Sequence, residues 1–153
     1  MAHRRPSDWH LGNFEWGLER STVCLGGMPY LRRWILHFAG YTLRLHKFYR
    51  GDDDRAPHDH PWWFITIPLR GYYESVVRGS VQMVEWVRPF WPHFRPATYR
   101  HIVLGGADYF DYPDLGHWCP ARALYTVVIT GRKERPWGFW PGSKTFVPWR
   151  EWK

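Results

Sequence analysis

The chain has 153 residues, with 12 Trp, 9 Tyr and 9 Phe, and 21 basic residues against 14 acidic ones leave it at +7. That length suits one domain with one core, and the ring content calls for an interior built from large flat side chains. Cys24 and Cys119, far apart and without a CxxC, exclude a disulfide framework and a thiolate zinc site; no apolar run approaches a membrane span.

The N-terminus, "MAHRRPSDWHLG", has no apolar stretch of the kind that leads a secreted protein, so the expected location is a reducing cytoplasm. Residues 1–30 read as an irregular arm or cap, packed on the rest through Trp9, Phe14 and Trp16. Arg33–Phe38 and Tyr41–Arg50 read as two strands joined at Ala39-Gly40, with a short helix through Leu31, Trp34, Ile35 and Phe38 as the competing reading. A polar loop, "GDDDRAP", follows at 51–57. "WWFITIPL" reads as a buried strand, "RG" as a turn and "YYESVV" as its return strand, which would place Glu74 opposite Ile67.

"SVQMVEWV" continues the pattern, whereas "RPFWPHFRPA" at 88–97 holds three prolines and is barred from a sheet interior. "TYRHIVL" is extended again. "GGADYFDYPDLGHWCPA" is a loop with one short strand around Asp108–Tyr112, and "ALYTVVITG" is the clearest β run of the chain. The tail alternates aromatics with breakers and should cover one sheet face. Many short strands at close spacing predict a single mainly β domain over 31–153, a sandwich or small barrel.

The chemistry centres on "RAPHDHPWWF", residues 55–64. In an extended chain His58 and His60 face one way, ~7 Å apart along the backbone, and both imidazoles can converge on one ion. A third ligand should come from a neighbouring strand, and His101, at the start of an extended run after a proline-closed turn, is the candidate. Three neutral nitrogens with open positions suit iron, zinc, copper or nickel, and describe a catalytic more than a structural site. With nine histidines in the chain, a hydrogen-bonded surface pair plus an unrelated His101 is the bland alternative.

"HDHPWWFITIPLRG" resembles the first motif of the cupin superfamily, H-x-H-P leading into an apolar strand and a turn glycine, here Gly71. "PATYRH" resembles the second motif, P-x-G-x-x-H, with Thr98 where glycine is usual. More narrowly, "DDDRAPHDHPWW", "LRGYYE", "TVVITGRKERPWGFWP" and "FVPWREW" are similar to small cupin-like proteins frequent in bacteriophages and prophages, a likeness spanning about residues 30–152. The resemblance implies a double-stranded β-helix, or jelly roll, and a metal on His58, His60 and His101. A phage origin would place the protein in a bacterial host.

The glutamate that usually follows H-x-H in cupins falls on Phe64, or on Ile65 in a shifted alignment. The pattern therefore resembles the three-histidine cupins, among them the thiol dioxygenases, which bind ferrous iron. It differs from an H-x-D…H triad, because residue 60 is His and Asp59 should point away.

Around the site, Glu74 and Tyr99 are candidate catalytic groups, Glu74 as a residue behind the ligands or a substrate contact. Arg44, Arg100 and Tyr125 are candidate substrate-binding residues, the arginines because a guanidinium grips carboxylate or phosphate bidentately. His46 reads as a satisfied core histidine. Asp52, Asp53 and Asp54 read as a solvated loop neutralising Arg50 and Arg55, with a second divalent ion as the alternative. "RPWGFW" at 135–140 reads as rings closing the barrel end, with base stacking as the alternative. His10, His93 and His117 receive no role.

The favoured function is a non-haem iron oxygenase acting on a small or nucleotide-derived molecule. Zinc, manganese or nickel in the same site would instead serve an isomerase or hydrolase. The non-enzymatic alternative is a metal-stabilised module capturing a nucleotide, sugar or protein partner. A homodimer is expected. A basic surface also attracts nucleic acid, but no nucleic-acid module is spelled out, so that partner is the minority reading, and no membrane is expected.

Overall fold

A computed structural model describes residues 7–11, 14–25, 28–51, 56–106 and 123–152. The described residues form twelve strands, β1 (Ser7–Leu11), β2 (Phe14–Leu25), β3 (Met28–Phe38), β4 (Tyr41–Phe48), β5 (Phe64–Pro68), β6 (Tyr72–Arg78), β7 (Val81–Val87), β8 (His93–Arg95), β9 (Arg100–Gly106), β10 (Leu124–Thr130), β11 (Gly138–Phe139) and β12 (Val147–Pro148), with one 3-10 turn at Pro141–Ser143. A seven-stranded sheet in the order β1-β2-β3-β4-β10-β5-β8 is joined by a three-stranded sheet, β7-β6-β9, and the small β11-β12 pair. All named pairings are antiparallel. Tyr72, Val87 and Val103 of the smaller sheet pack with Leu124 of the larger, and Phe48 closes that cluster. The result is the expected mainly β jelly roll.

The β3–β4 hairpin turns on Ala39 (φ 48°) and Gly40 (φ 83°), both left-handed, which is the two-residue loop that matches strand twist. No helix forms at 31–38, because Leu31 and Ile35 share parity as well as helical spacing. Both are buried on one face of β3. Strand β8, in the proline-rich stretch, sits at the sheet edge beside β5 alone.

Two expectations are corrected. Residues 14–25, read as part of an irregular arm, form β2 along β3. The inward positions of β2 include Gly17, Glu19 and Ser21, opposite His37, Ile35 and Arg33, so the strand shows no apolar alternation to read. The side chains of Trp9, His10, Phe14 and Trp16 lie outside the described residues.

The second correction concerns β5 and β6, which are not a hairpin. Strand β5 pairs with β10 and β8, while β6 pairs with β7 and β9 in the other sheet, so Glu74 lies opposite Glu85 and Val103 and not Ile67. Leu69–Gly71 carries the chain between sheets, with Gly71 pressed on the Trp86 ring, where an added Cβ would sit 2.1 Å from a ring carbon. Sequential strands usually neighbour each other, but a jelly roll is closed by crossing between its sheets.

The inner face of the large sheet mixes buried polar groups with its apolar ones. Thr42, Thr66, Thr126 and Thr130 are buried there, with Arg44 in the same layer. The acidic run Asp52–Asp54 with Arg55, the strand expected at Asp108–Tyr112, His117 and Cys119 lie outside the described residues. Cys24 is exposed and free.

Candidate metal centre

His58 lies between two strands. Its N–H donates to the His101 carbonyl at 3.0 Å and its carbonyl accepts from the His101 N–H at 3.1 Å, while its other side bridges Phe139. Asp59 N–H donates to Gly138 O and His60 N–H to Ala97 O, each at 3.1 Å. These bonds hold residues 58–60 extended, so the two imidazoles share a side and Asp59 turns from them.

Asp59 is 1% exposed. Its carboxylate accepts from Arg135 Nη1 at 2.6 Å, from the Gly138 N–H at 2.9 Å and from Trp140 Nε1 at 3.0 Å. Sequence reading missed this anchor, which ties the H-x-H segment to "RPWGFW". That segment closes the barrel end: Phe139 packs on the His58 ring at 5.9 Å between centroids and stacks on Trp152 at 4.7 Å.

The rings of His58, His60 and His101 form a nearly equilateral triangle, with centroids 5.1, 4.9 and 5.2 Å apart. One nitrogen from each lies within 4.8 Å of the others, and His60 Nε2 is 3.0 Å from His101 Nε2. An ion bonded at ~2.1 Å to two imidazoles at right angles would hold their nitrogens ~3 Å apart. Burial first, and then His101, Arg44 and His46, holds His60 well below the usual imidazole value. It is therefore neutral, the form that binds metal. The donor set fits a divalent cation.

Glu74 is 0% exposed and lies directly behind His101. Oε1 accepts from His101 Nδ1 at 3.1 Å and Tyr72 OH at 2.8 Å; Oε2 accepts from Tyr99 OH at 2.8 Å and Arg95 Nη2 at 3.2 Å. Burial alone would raise this carboxyl, but His101, Arg95 and the Tyr72 hydroxyl bring it down to about 2. With four donors its acceptor capacity is full. A proton on Nδ1 leaves the His101 Nε2 lone pair facing the cluster. Burial and the Glu74 charge raise both Tyr72 and Tyr99, keeping them as hydroxyl donors. Tyr72 and Arg95 were not anticipated: Tyr72 lies two residues from Glu74 on β6 itself, and Arg95 reaches Glu74 from β8 of the other sheet.

The other anticipated residues are scattered. Arg44, 8% exposed, points inward, its guanidinium 4.4 Å from the Trp62 ring centroid and its Nε donating to Thr42 Oγ1 at 2.7 Å. Arg100, one residue from His101, turns the opposite way, reaching Gly79 O at 3.4 Å and lying over Trp140. Tyr125 sits under Lys47 on the outer side of β10. His46 is corrected: its ring meets Phe48, and its buried Nε2 has no hydrogen-bond partner among the described residues.

The mainly β jelly roll that brings these three imidazoles together is similar in fold to solved structures. A cupin-2 domain from Rhodospirillum rubrum superposes with a TM-score of 0.52 at 14% identity, covering 90% of this chain and 82% of that one. HppE in its iron(II) form superposes at 0.53 with 7% identity, over 74% of this chain and 56% of that one. AerE from Microcystis aeruginosa gives 0.50 at 12% identity, over 76% and 47%. The chain thus spans about half the length of HppE and of AerE. No protein-family model matches the sequence, and no curated protein does. No helix among the described residues is long and apolar enough to cross a membrane.

Proposed function

We propose that this chain is a metal-dependent cupin enzyme, an iron oxygenase acting on a small molecule through His58, His60 and His101. The observation that carries the reading is the triangle of imidazoles with Glu74 behind one of them. Ferrous iron on these nitrogens would supply redox chemistry with dioxygen, and the iron(II) form of HppE supports that choice over zinc, manganese or nickel.

The protein's own residues orient and shield. Glu74 keeps the His101 proton on Nδ1, while Tyr72, Tyr99 and Arg95 hold Glu74 in place. Glu74 and Tyr99 thus act through His101, as positioning residues. Phe64, packed on His60 at 4.6 Å, and Phe139 on His58 wall the cluster from bulk water. Arg44 faces the same interior and would orient the substrate.

The test is metal analysis of protein purified without chelator, followed by dioxygen uptake on anaerobic loading with iron and re-exposure. Near-stoichiometric metal that His101→Ala abolishes, with iron-dependent uptake over a small-molecule panel, is the expected result. Zinc or manganese with turnover but no uptake would replace the oxygenase with Lewis-acid chemistry. Absence of metal binding in the folded wild type would end the reading.

A further inference from the structure

The large sheet carries a second constellation on its inner face. Arg33 of β3 lies opposite His46 of β4, and Arg44 lies opposite Ile35, so the two arginines are diagonal neighbours. Each guanidinium spends its Nε on a neutral hydroxyl, Arg33 on Ser21 Oγ at 2.8 Å and Arg44 on Thr42 Oγ1 at 2.7 Å. Neither forms an ion pair among the described residues. Glu19, whose charge both arginines feel, is itself bonded to His37 Nε2 at 3.2 Å. Beside them on the same face is His46, opposite Arg33 and two residues from Arg44, whose buried Nε2 has no hydrogen-bond partner among the described residues.

Two guanidiniums largely withdrawn from water beside each other, with no described carboxylate bonded to either, are costly to a fold. Burial pushes both below their ordinary value, and Arg33 pushes Arg44 further. A guanidinium presents a fork suited to a planar carboxylate or a phosphate, and that of Arg44 lies over the Trp62 ring, 4.4 Å from its centroid. The group reaches the three-histidine segment through Trp62, the ring under Arg44, which lies two residues along the chain from His60, and the charges of Arg44 and His46 act on His60.

We infer that Arg33, Arg44 and His46 form an oxyanion subsite that clamps the carboxylate or phosphate of the substrate, leaving its other end at the three histidines. Assigning the bound anion as substrate rests on the metal-enzyme reading; the subsite itself does not. The imidazole nitrogen supplies a third contact, and the hydroxyls of Ser21 and Thr42 hold the clamp without neutralising it.

The experiment is calorimetric titration of the full chain, stripped of metal, with inorganic phosphate and separately with propionate at low ionic strength. One saturable site per chain for at least one of them is expected, and the better ligand distinguishes phosphate from carboxylate. Arg44→Gln and Arg33→Gln should each weaken binding by roughly ten- to a hundredfold, the scale of a lost charge-assisted bond, while the exposed control Arg88→Gln changes nothing. A zinc titration runs in parallel. Arg44→Gln should hold zinc at least as well as wild type, which shows that it is folded and that the loss is local. Should Arg44→Gln fail to fold, Arg33→Gln carries the same comparison. No saturable binding of either anion to the wild type, or equal loss in Arg88→Gln, overturns the subsite. Zinc binding without anion binding leaves the metal centre standing and removes the clamp; anion binding without zinc binding does the reverse.

Discussion

Glu74 and His101 are diagonal neighbours on β6 and β9, and a 3.1 Å hydrogen bond joins Oε1 of the first to Nδ1 of the second. The residue directly opposite His101 is Val76, two positions along from Glu74. The diagonal lets a buried carboxylate reach the far nitrogen of a ring whose near nitrogen faces two other imidazoles. A carboxylate behind a ligating histidine fixes its tautomer and strengthens it as a donor.

Replacing that carboxylate by an amide tests the relationship. Glu74→Gln keeps the shape but removes the charge and one acceptor, and leaves Arg95 without its partner. Zinc affinity measured by competition with a chromogenic chelator is expected to fall by ~10- to 100-fold. Tyr99→Phe removes one donor to Glu74 and should cost less. Unchanged affinity in Glu74→Gln would mean that His101 holds its orientation without help.

Metal removal should also be visible as lost stability. An ion that binds only the folded state stabilises it by about 2.7 kcal/mol at a hundredfold excess over its dissociation constant. Thermal melts of wild type with and without a chelator should therefore differ, and those of His60→Ala should coincide. A chelator-insensitive wild-type melt would count against a metal site that joins two distant segments of the chain.

Asp59 predicts a structural effect that reaches the site. Asp59→Ala would leave the Gly138 N–H and Trp140 Nε1 without this acceptor in a buried place and Arg135 without its charge partner, holding only the Ala97 carbonyl. The expected loss in urea denaturation is about 3 kcal/mol. Because the same carboxylate ties down the H-x-H segment, zinc affinity should fall with it. Asp59→Asn, which retains an acceptor, should lose less of both.

Gly138 makes a steric prediction. A Cβ there would lie 2.1 Å from the Val147 carbonyl oxygen, a backbone atom that moves only if β11 parts from β12. Gly138→Ala is expected to destabilise by about 1–3 kcal/mol in the same urea assay, as overpacking does. Gly79→Ala forms the contrast: its Cβ meets nothing within 4 Å, so its cost comes from its φ of +64° alone.

What could be read without coordinates was whatever depends on neighbours along the chain. Alternation placed His58 and His60 on one side and Asp59 on the other, the prolines of 88–97 confined β8 to an edge, and Ala39-Gly40 marked a hairpin. His101 was reachable through its likeness to a known motif. The strand character of 14–25 was not, because its inward positions are polar.

Which strands lie beside which was decided only by the closed sheets. The pairing of β6 with β9 sets Glu74 behind His101, Arg95 reaches that carboxylate from β8 of the other sheet, and the placement of β2, β3 and β4 gathers Arg33, Arg44 and His46 on one inner face. Local parity settles the side toward which a residue points. The partner it meets there is settled by burial and hydrogen bonding across the whole barrel, since contacts between distant segments depend on how both sheets close together.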